Sequence, residues 1–163
     1  MQSLDESLQE YASDNDLVYS RYADDLVFSS KNAFDRPRAT RHIKAINKCL
    51  IEEGFWLNKA KTKIITPGAR KIVLGLLVDG DTPRLPKSYK KYVSDHLYYL
   101  SHPTIDAKSH AEHHGFQSLQ GLINRISGKI AYGFSIEPDW GKRQGNQLKS
   151  ICKRLQLDHV IFP

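Results

Sequence analysis

The spacing of apolar residues changes character several times along the chain. Leu4, Leu8 and Tyr11 recur at helical spacing, and Ser3-Leu4-Asp5-Glu6 has the S-x-x-E form of a capping box, so a short amphipathic helix is predicted at the start. Leu17, Val18 and Tyr19 then precede, and Leu26, Val27 and Phe28 follow, the triplet Ala23-Asp24-Asp25. This pattern predicts a β-hairpin of two half-buried strands with the acids at its tip. Pro37 opens a second helix, with Ile43, Ile46, Leu50 and Ile51 as one apolar stripe, Gly54 as its stop, and Arg38, Arg41, Lys44 and Lys48 facing away. Residues 64–66 and 71–78 read as strands, linked by Pro67-Gly68 and ended by Asp79-Gly80.

From Pro83 onward the pattern is helical. Tyr89, Tyr92, Val93, Leu97 and Leu100 suit one helix; Phe116, Leu119, Ile123, Ile126 and Ile130 a second; Leu148, Ile151, Cys152 and Leu155 a third. The fold class expected is therefore α+β, with a mixed sheet-and-helix domain over residues 1–82 and an all-α, three-helix domain over 83–163.

Composition narrows the class. With 40% hydrophobic and 26% charged residues in 163, the chain has the make-up of a folded domain or two small ones, which excludes wholesale disorder. No repeat or low-complexity segment occurs, and no N-terminal apolar segment resembles a signal or membrane anchor. Cys49 and Cys152 lie far apart without metal-ligand spacing, so a reduced, cytoplasmic protein is expected. The net charge of +6 is unevenly placed. Residues 1–58 hold seven Lys/Arg against ten Asp/Glu, and residues 59–163 seventeen against eight, which marks the C-terminal part as a face for a polyanion.

Asp24 and Asp25 carry the candidate chemistry. Adjacent carboxylates repel, and beside apolar strands they require a neutralising cation; a hard divalent ion such as Mg2+ takes oxygen ligands of this kind. Tyr19-Ser20-Arg21-Tyr22-Ala23-Asp24-Asp25-Leu26-Val27-Phe28-Ser29 resembles the Y-x-R-Y-A-D-D-L-x-F-S metal-binding hairpin of bacterial reverse transcriptases, most closely the retron group. Group II intron and diversity-generating enzymes share the R-Y-A-D-D core.

The resemblance implies RNA-directed DNA synthesis from dNTPs with two Mg2+ ions on Asp24 and Asp25, and Tyr22 and Ala23 against the primer end or nucleotide. Gly54-Phe55-Trp56-Leu57-Asn58-Lys59-Ala60-Lys61-Thr62 resembles the family's G-x-x-L-N-x-x-K-T segment beside the incoming nucleotide. By that match Asn58 belongs to the nucleotide site, and Lys61 neutralises the triphosphate or protonates pyrophosphate. Val73-Leu74-Gly75-Leu76-Leu77-Val78 resembles the V-T-G-L-x-V element that grips the primer end, so Leu74, Gly75 and Leu76 are expected there. A glycine within a strand is read as a close approach of another backbone or a bulge.

The C-terminal helices resemble a retron-like thumb through Gly128-Lys129-Ile130-Ala131-Tyr132 and Ser135-Ile136-Glu137-Pro138, where Glu137 replaces a more usual asparagine. Lys87, Lys90, Lys91, Arg125 and Lys129 are the expected nucleic-acid contacts. Residues 1–82 correspond to the C-terminal half of a palm. The family's third carboxylate lies on an earlier strand, whereas Asp5, Asp14 and Asp16 belong to a helix and the loop after it. The expectation is a C-terminal portion working with a separate N-terminal polypeptide that carries the fingers and the rest of the palm. Retron membership further implies a structured non-coding RNA template, an RNA/DNA product, an antiphage role with a defence effector protein, and no membrane. The alternatives are a non-catalytic RNA-binding subunit derived from such an enzyme and a fragment of the group II intron type. His110, Glu112, His113 and His114 lack H-E-x-x-H spacing and read as an exposed helix start. Tyr98, Tyr99 and Tyr132 could touch nucleic acid, with core packing the default reading for each.

Overall fold

The computed structural model describes residues 2–32 and 35–157 and is α+β, with six helices and two small antiparallel sheets among these residues. Residues 158–163, the end of the expected all-α domain, lie outside the described residues, as do Met1 and residues 33–34. The chain divides into two compact units, Met1–Lys71 and Ile72–Pro163.

In the first unit the order is α1 (Gln2–Asp14), β1 (Val18–Tyr22), β2 (Asp25–Ser29) and α2 (Arg36–Glu52). Leu4 and Leu8 from α1 meet Ile46 and Leu50 from α2, and Tyr19, Leu26, Phe28 and Leu57 pack onto them. Each fully buried Leu or Ile contributes on the order of 2 kcal/mol, so this small cluster is what seats the hairpin. Asp35 caps α2 by accepting the Arg38 N–H at 2.8 Å. Gly54 ends it at φ 80°, where the Phe55 N–H reaches back to the Leu50 carbonyl at 2.8 Å.

Three sequence expectations fail here. Ser3 lies inside α1 and its hydroxyl donates to Glu53 at 2.9 Å, so Ser3-Glu6 is not a capping box. Ile51 leaves the stripe and is 53% exposed, although Leu50 beside it in sequence is buried against α1. Residues 64–66 form no strand: among the described residues no partner strand offers them a ladder, and three residues cannot sustain one alone.

The second unit contains β3 (Ile72–Val73), β4 (Leu76–Leu77), α3 (Lys87–Ser101), α4 (Ala107–His113), α5 (Leu119–Ile136) and α6 (Pro138–Arg154). Residues 71–78 are thus a tight hairpin, not one strand, and Leu77 also bridges Arg84. Among the described residues there are four helices rather than three. The fourth, α4, starts at Asp106, which accepts the Ser109 N–H at 2.7 Å, and buries only Ala107, His110 and Ala111. A helix whose buried face is alanine and histidine leaves no stripe of large apolar residues to read.

Val93, Leu97, Leu100, Leu122, Ile123, Ile126, Leu148 and Ile151 fill the core between these helices. Helices α5 and α6 abut at Glu137 and cross closely through Gly133 and Gly141. No helix among the described residues is long and apolar enough to cross a membrane.

Candidate active site

Pairing of β1 with β2 runs in strict antiparallel register from Val18↔Ser29 to Tyr22↔Asp25, which leaves Ala23 and Asp24 as the two-residue turn. Asp25 is therefore the first strand residue rather than part of the turn. Alternation puts Tyr19, Arg21, Leu26 and Phe28 on the face toward the α1/α2 core. Val18, Ser20, Tyr22, Asp25 and Val27 share the opposite face, where Tyr22 is 68% and Val18 57% exposed. Ala23 turns the chain with φ 52°, in the left-handed region.

An anchor that sequence reasoning missed holds this tip. The Asp5 carboxylate of α1 accepts hydrogen bonds from Arg21 Nε at 2.7 Å, Arg21 Nη2 at 2.5 Å and the Tyr19 hydroxyl at 2.8 Å. Arg21 Nη1 also donates to the Ala23 carbonyl at 3.0 Å, tying the turn itself to α1. The Arg21 and Tyr19 hydrogen bonds hold the Asp5 carboxyl below its usual range, and burial followed by Asp5 pushes the Tyr19 phenol up to about 12. No spacing in the sequence signals this anchor, because Asp5 and Arg21 are sixteen residues apart and only the fold brings them together.

Asp24 and Asp25 are both exposed, and neither carboxylate meets a hydrogen-bond or ion-pair partner among the described residues. Two adjacent carboxylates free of internal partners fit a hard divalent cation, which takes its remaining ligands from water or phosphate oxygens.

Asn58 organises the segment after α2. Its side-chain oxygen accepts the Ala60 and Lys61 N–H groups at 3.1 and 3.2 Å, and its carbonyl accepts the Thr62 hydroxyl at 2.8 Å. This turn leaves Lys61 exposed, and Trp56 beside it is 82% exposed. In the second unit Leu74 and Gly75 form the tip of the β3–β4 hairpin with φ 49° and 80°. Gly75 is there because the turn needs positive φ, not because of a bulge or close approach within a strand. Leu74 is exposed, and Leu76 packs against the helical core.

The expected cations differ in their surroundings. Lys87 is exposed. Lys90 pairs with Glu137 at 2.5 Å, and Glu137 also accepts the Leu85 N–H at 2.8 Å. Lys91 pairs with Asp95 at 2.8 Å, one helical turn away. Arg125 and Lys129 line an open groove of about 380 Å³ with Tyr89, Asn124, Gly128 and Tyr132. Lys129 Nζ sits 4.6 Å from the Tyr89 ring centre and 4.9 Å from that of Tyr92. Burial, then the Arg125 charge, lowers its pKa. Tyr132, Tyr98 and Tyr99 are exposed, contrary to the core reading.

The histidines also depart from expectation. His110 is 8% exposed and His96, from α3, 3%. His96 Nδ1 and His110 Nε2 lie 2.9 Å apart, and His114 stands edge-on to both rings. Burial, then the neighbouring His114 and His110, lowers the His96 pKa to about 4. His96 belongs to a different helix and is fourteen residues away, which is why no spacing rule found it.

Two adjacent acids thus stand at a hairpin tip seated on a two-helix platform, and residues 1–119 match the family model described as Reverse transcriptase (RNA-dependent DNA polymerase). The chain belongs to this family, in its bacterial, retron-like branch. It is 33% identical to the Retron Ec48 reverse transcriptase of Escherichia coli over 159 residues, covering 88% of this chain and 38% of that protein. With the Retron Ec86 reverse transcriptase of the same organism it shares 27% over 150 residues, 90% of this chain and 45% of the relative. The Retron Se72 reverse transcriptase of Salmonella heidelberg is 28% identical over 142 residues, covering 85% and 35%. The chain thus spans less than half the length of these relatives. Members of the family use divalent metal ions.

Proposed function

We propose that this chain is the C-terminal palm and thumb portion of a retron-like RNA-directed DNA polymerase, extending a primer on an RNA template from dNTPs. The observation that carries this reading is the pair of carboxylates without internal partners, Asp24 and Asp25, on the R-Y-A-D-D hairpin. They would hold two Mg2+ ions, which in such sites stabilise the attacking and leaving oxygens of an in-line displacement. The exposed face shared by Tyr22, Asp25 and Val27 receives the primer end and nucleotide. Lys61, held outward by the Asn58 turn, offers its ammonium to the triphosphate and a proton to departing pyrophosphate. Leu74, Gly75 and Leu76 hold the primer strand, and the groove of Arg125 and Lys129, with Lys87, takes the phosphates of the template–primer duplex.

The reaction needs a third carboxylate and a fingers region, which we assign to an N-terminal polypeptide. The exposed hairpin face and the backbone edges of a two-stranded sheet are the surface it would complete. A structured non-coding RNA as template and a defence effector as downstream partner follow from the kinship with retron enzymes. The test is primer extension on an RNA template by this chain with and without that polypeptide. Synthesis is expected only in the pair, and only with intact Asp24 and Asp25. Extension by residues 1–163 alone refutes the division of the site. Silence of the pair with RNA binding retained would make the chain a binding subunit.

A further inference from the structure

Outside the polymerase site, the chemistry-bearing side chains concentrate between α3 and α4. His96 comes from α3; His110 and His114 are one turn apart on α4 and at its C-cap. One ring nitrogen from each lies within 4.8 Å of the other two. The closest pair, His96 Nδ1 and His110 Nε2, is 2.9 Å apart. Two imidazole nitrogens on one tetrahedral cation, each at about 2.0–2.1 Å, stand roughly 3.3 Å from each other. The buried pair is therefore already at nearly the right separation, and no gap in the cluster has to close by more than about 1.5 Å.

The two buried rings are also held. Tyr92 stands edge-on to His96 at 4.5 Å between ring centres, and Tyr99 stacks on His110 at 5.0 Å. Their orientation is fixed before any ion arrives. Three neutral nitrogens without a carboxylate among them suit a borderline transition cation and repel none, whereas Mg2+ and Ca2+ seek oxygen.

We propose that His96, His110 and His114 form a three-nitrogen site for a borderline divalent cation of the Zn2+ class, clipping α3 to α4, with the fourth position left to solvent beside His114. The bound ion replaces the His96–His110 hydrogen bond with two metal–nitrogen bonds, and the proton that bond held moves to the other nitrogen of the donor ring, so that both ligands stay neutral imidazoles.

The test uses the full chain, stripped with chelator and titrated with Co2+. One equivalent should bring up the intense visible bands of a four-coordinate nitrogen site. Zn2+ should bleach them, and excess Mg2+ should leave them unchanged. Zn2+ at a hundredfold excess over its Kd should raise Tm by about 5–10 °C. His114→Ala, at an exposed position that does not threaten folding, should weaken Co2+ binding by at least about tenfold, the low end of what loss of even an outer partner costs. His113→Ala, the exposed neighbour outside the cluster, should change nothing. Wild-type protein without the bands, displacement by Mg2+, or an equal loss in His113→Ala overturns the site.

Discussion

The crossing of α5 and α6 makes a sharp prediction about Gly141. A Cβ placed there would meet Phe134 Cα at 2.4 Å, Phe134 Cβ at 2.6 Å and Phe134 N at 2.8 Å. Carbon atoms pack at about 3.5–4.0 Å, so Gly141→Ala must part the two helices by about 1 Å. The obstacle is largely backbone, which cannot rotate aside, so the cost lies near the upper end of the overpacking range, about 3 kcal/mol. Alanine in place of a helical glycine returns about 1 kcal/mol, leaving a net loss of about 2 kcal/mol. In a chain of 163 residues this lowers Tm by roughly 4–8 °C. One turn further on, a Cβ at Gly145 meets only Ile130 Cγ2 at 3.8 Å, ordinary contact, so Gly145→Ala should stabilise by up to about 1 kcal/mol. Thermal unfolding followed by helical circular dichroism reads both. If Gly141→Ala melts at or above the wild type, the close crossing does not exist.

Asp24→Asn and Asp25→Asn should each abolish synthesis by the assembled enzyme while leaving Tm unchanged or higher, because one of two repelling carboxylates is removed; measurable extension by either would refute the metal assignment. Arg21→Lys keeps the charge but loses the two-pronged grip on Asp5 and the bond to the Ala23 carbonyl, so the hairpin tip shifts. Extension should fall about tenfold to a hundredfold with helix content intact, and wild-type rates would show that Arg21 does not position the site. Lys90 and Lys91 already face carboxylates, which leaves Lys87, Arg125 and Lys129 as the main phosphate contacts. The log–log salt slope of duplex binding should then be roughly −2 to −3, and Arg125→Ala with Lys129→Ala should reduce its magnitude by roughly 1.5; a slope unchanged in the double variant places binding elsewhere. Burial opposes ionisation of Glu137, but hydrogen bonds from Lys90 and the Leu85 N–H outweigh it and its pKa is lowered. Its stabilising effect is therefore present above the ordinary carboxyl value of 4.5 and is lost as pH falls below it, so wild type and Glu137→Gln should differ in Tm at pH 7 and converge near pH 3.

Where the sequence pattern was carried by large apolar residues at a clear period, it was read correctly apart from Ile51. Leu4 and Leu8, the Tyr19/Phe28 hairpin, Ile46 and Leu50, and the faces of α3, α5 and α6 all pack as their spacing predicts. It failed where the determinants are small or distant. α4 buries two alanines and a histidine, a face too thin to register as a stripe. The Leu74-Gly75 turn interrupts a run of apolar residues that looks continuous, since leucine at φ 49° is not a turn residue by type. The adjacency of Asp24 and Asp25 was visible because they are neighbours in sequence. The Asp5 anchor on Arg21 and the meeting of His96 with His110 were invisible, because only the fold brings together residues separated by more than a dozen positions.

Ala23 and Leu74 share an uncommon property: each is a side-chain-bearing residue at a left-handed tip where glycine would rest without strain. The left-handed region costs an ordinary residue about 1–2 kcal/mol. Glycine at either tip would ease the fold, yet would also let the tip sample many more conformations. A methyl group at position 23 narrows what the backbone beside the two acids can do, so the hairpin gives up some stability and gains stiffness. Ala23→Gly should accordingly yield a protein that melts no lower but whose acids wander, a loss of order that a melting curve cannot register and amide order parameters at Asp24 and Asp25 can.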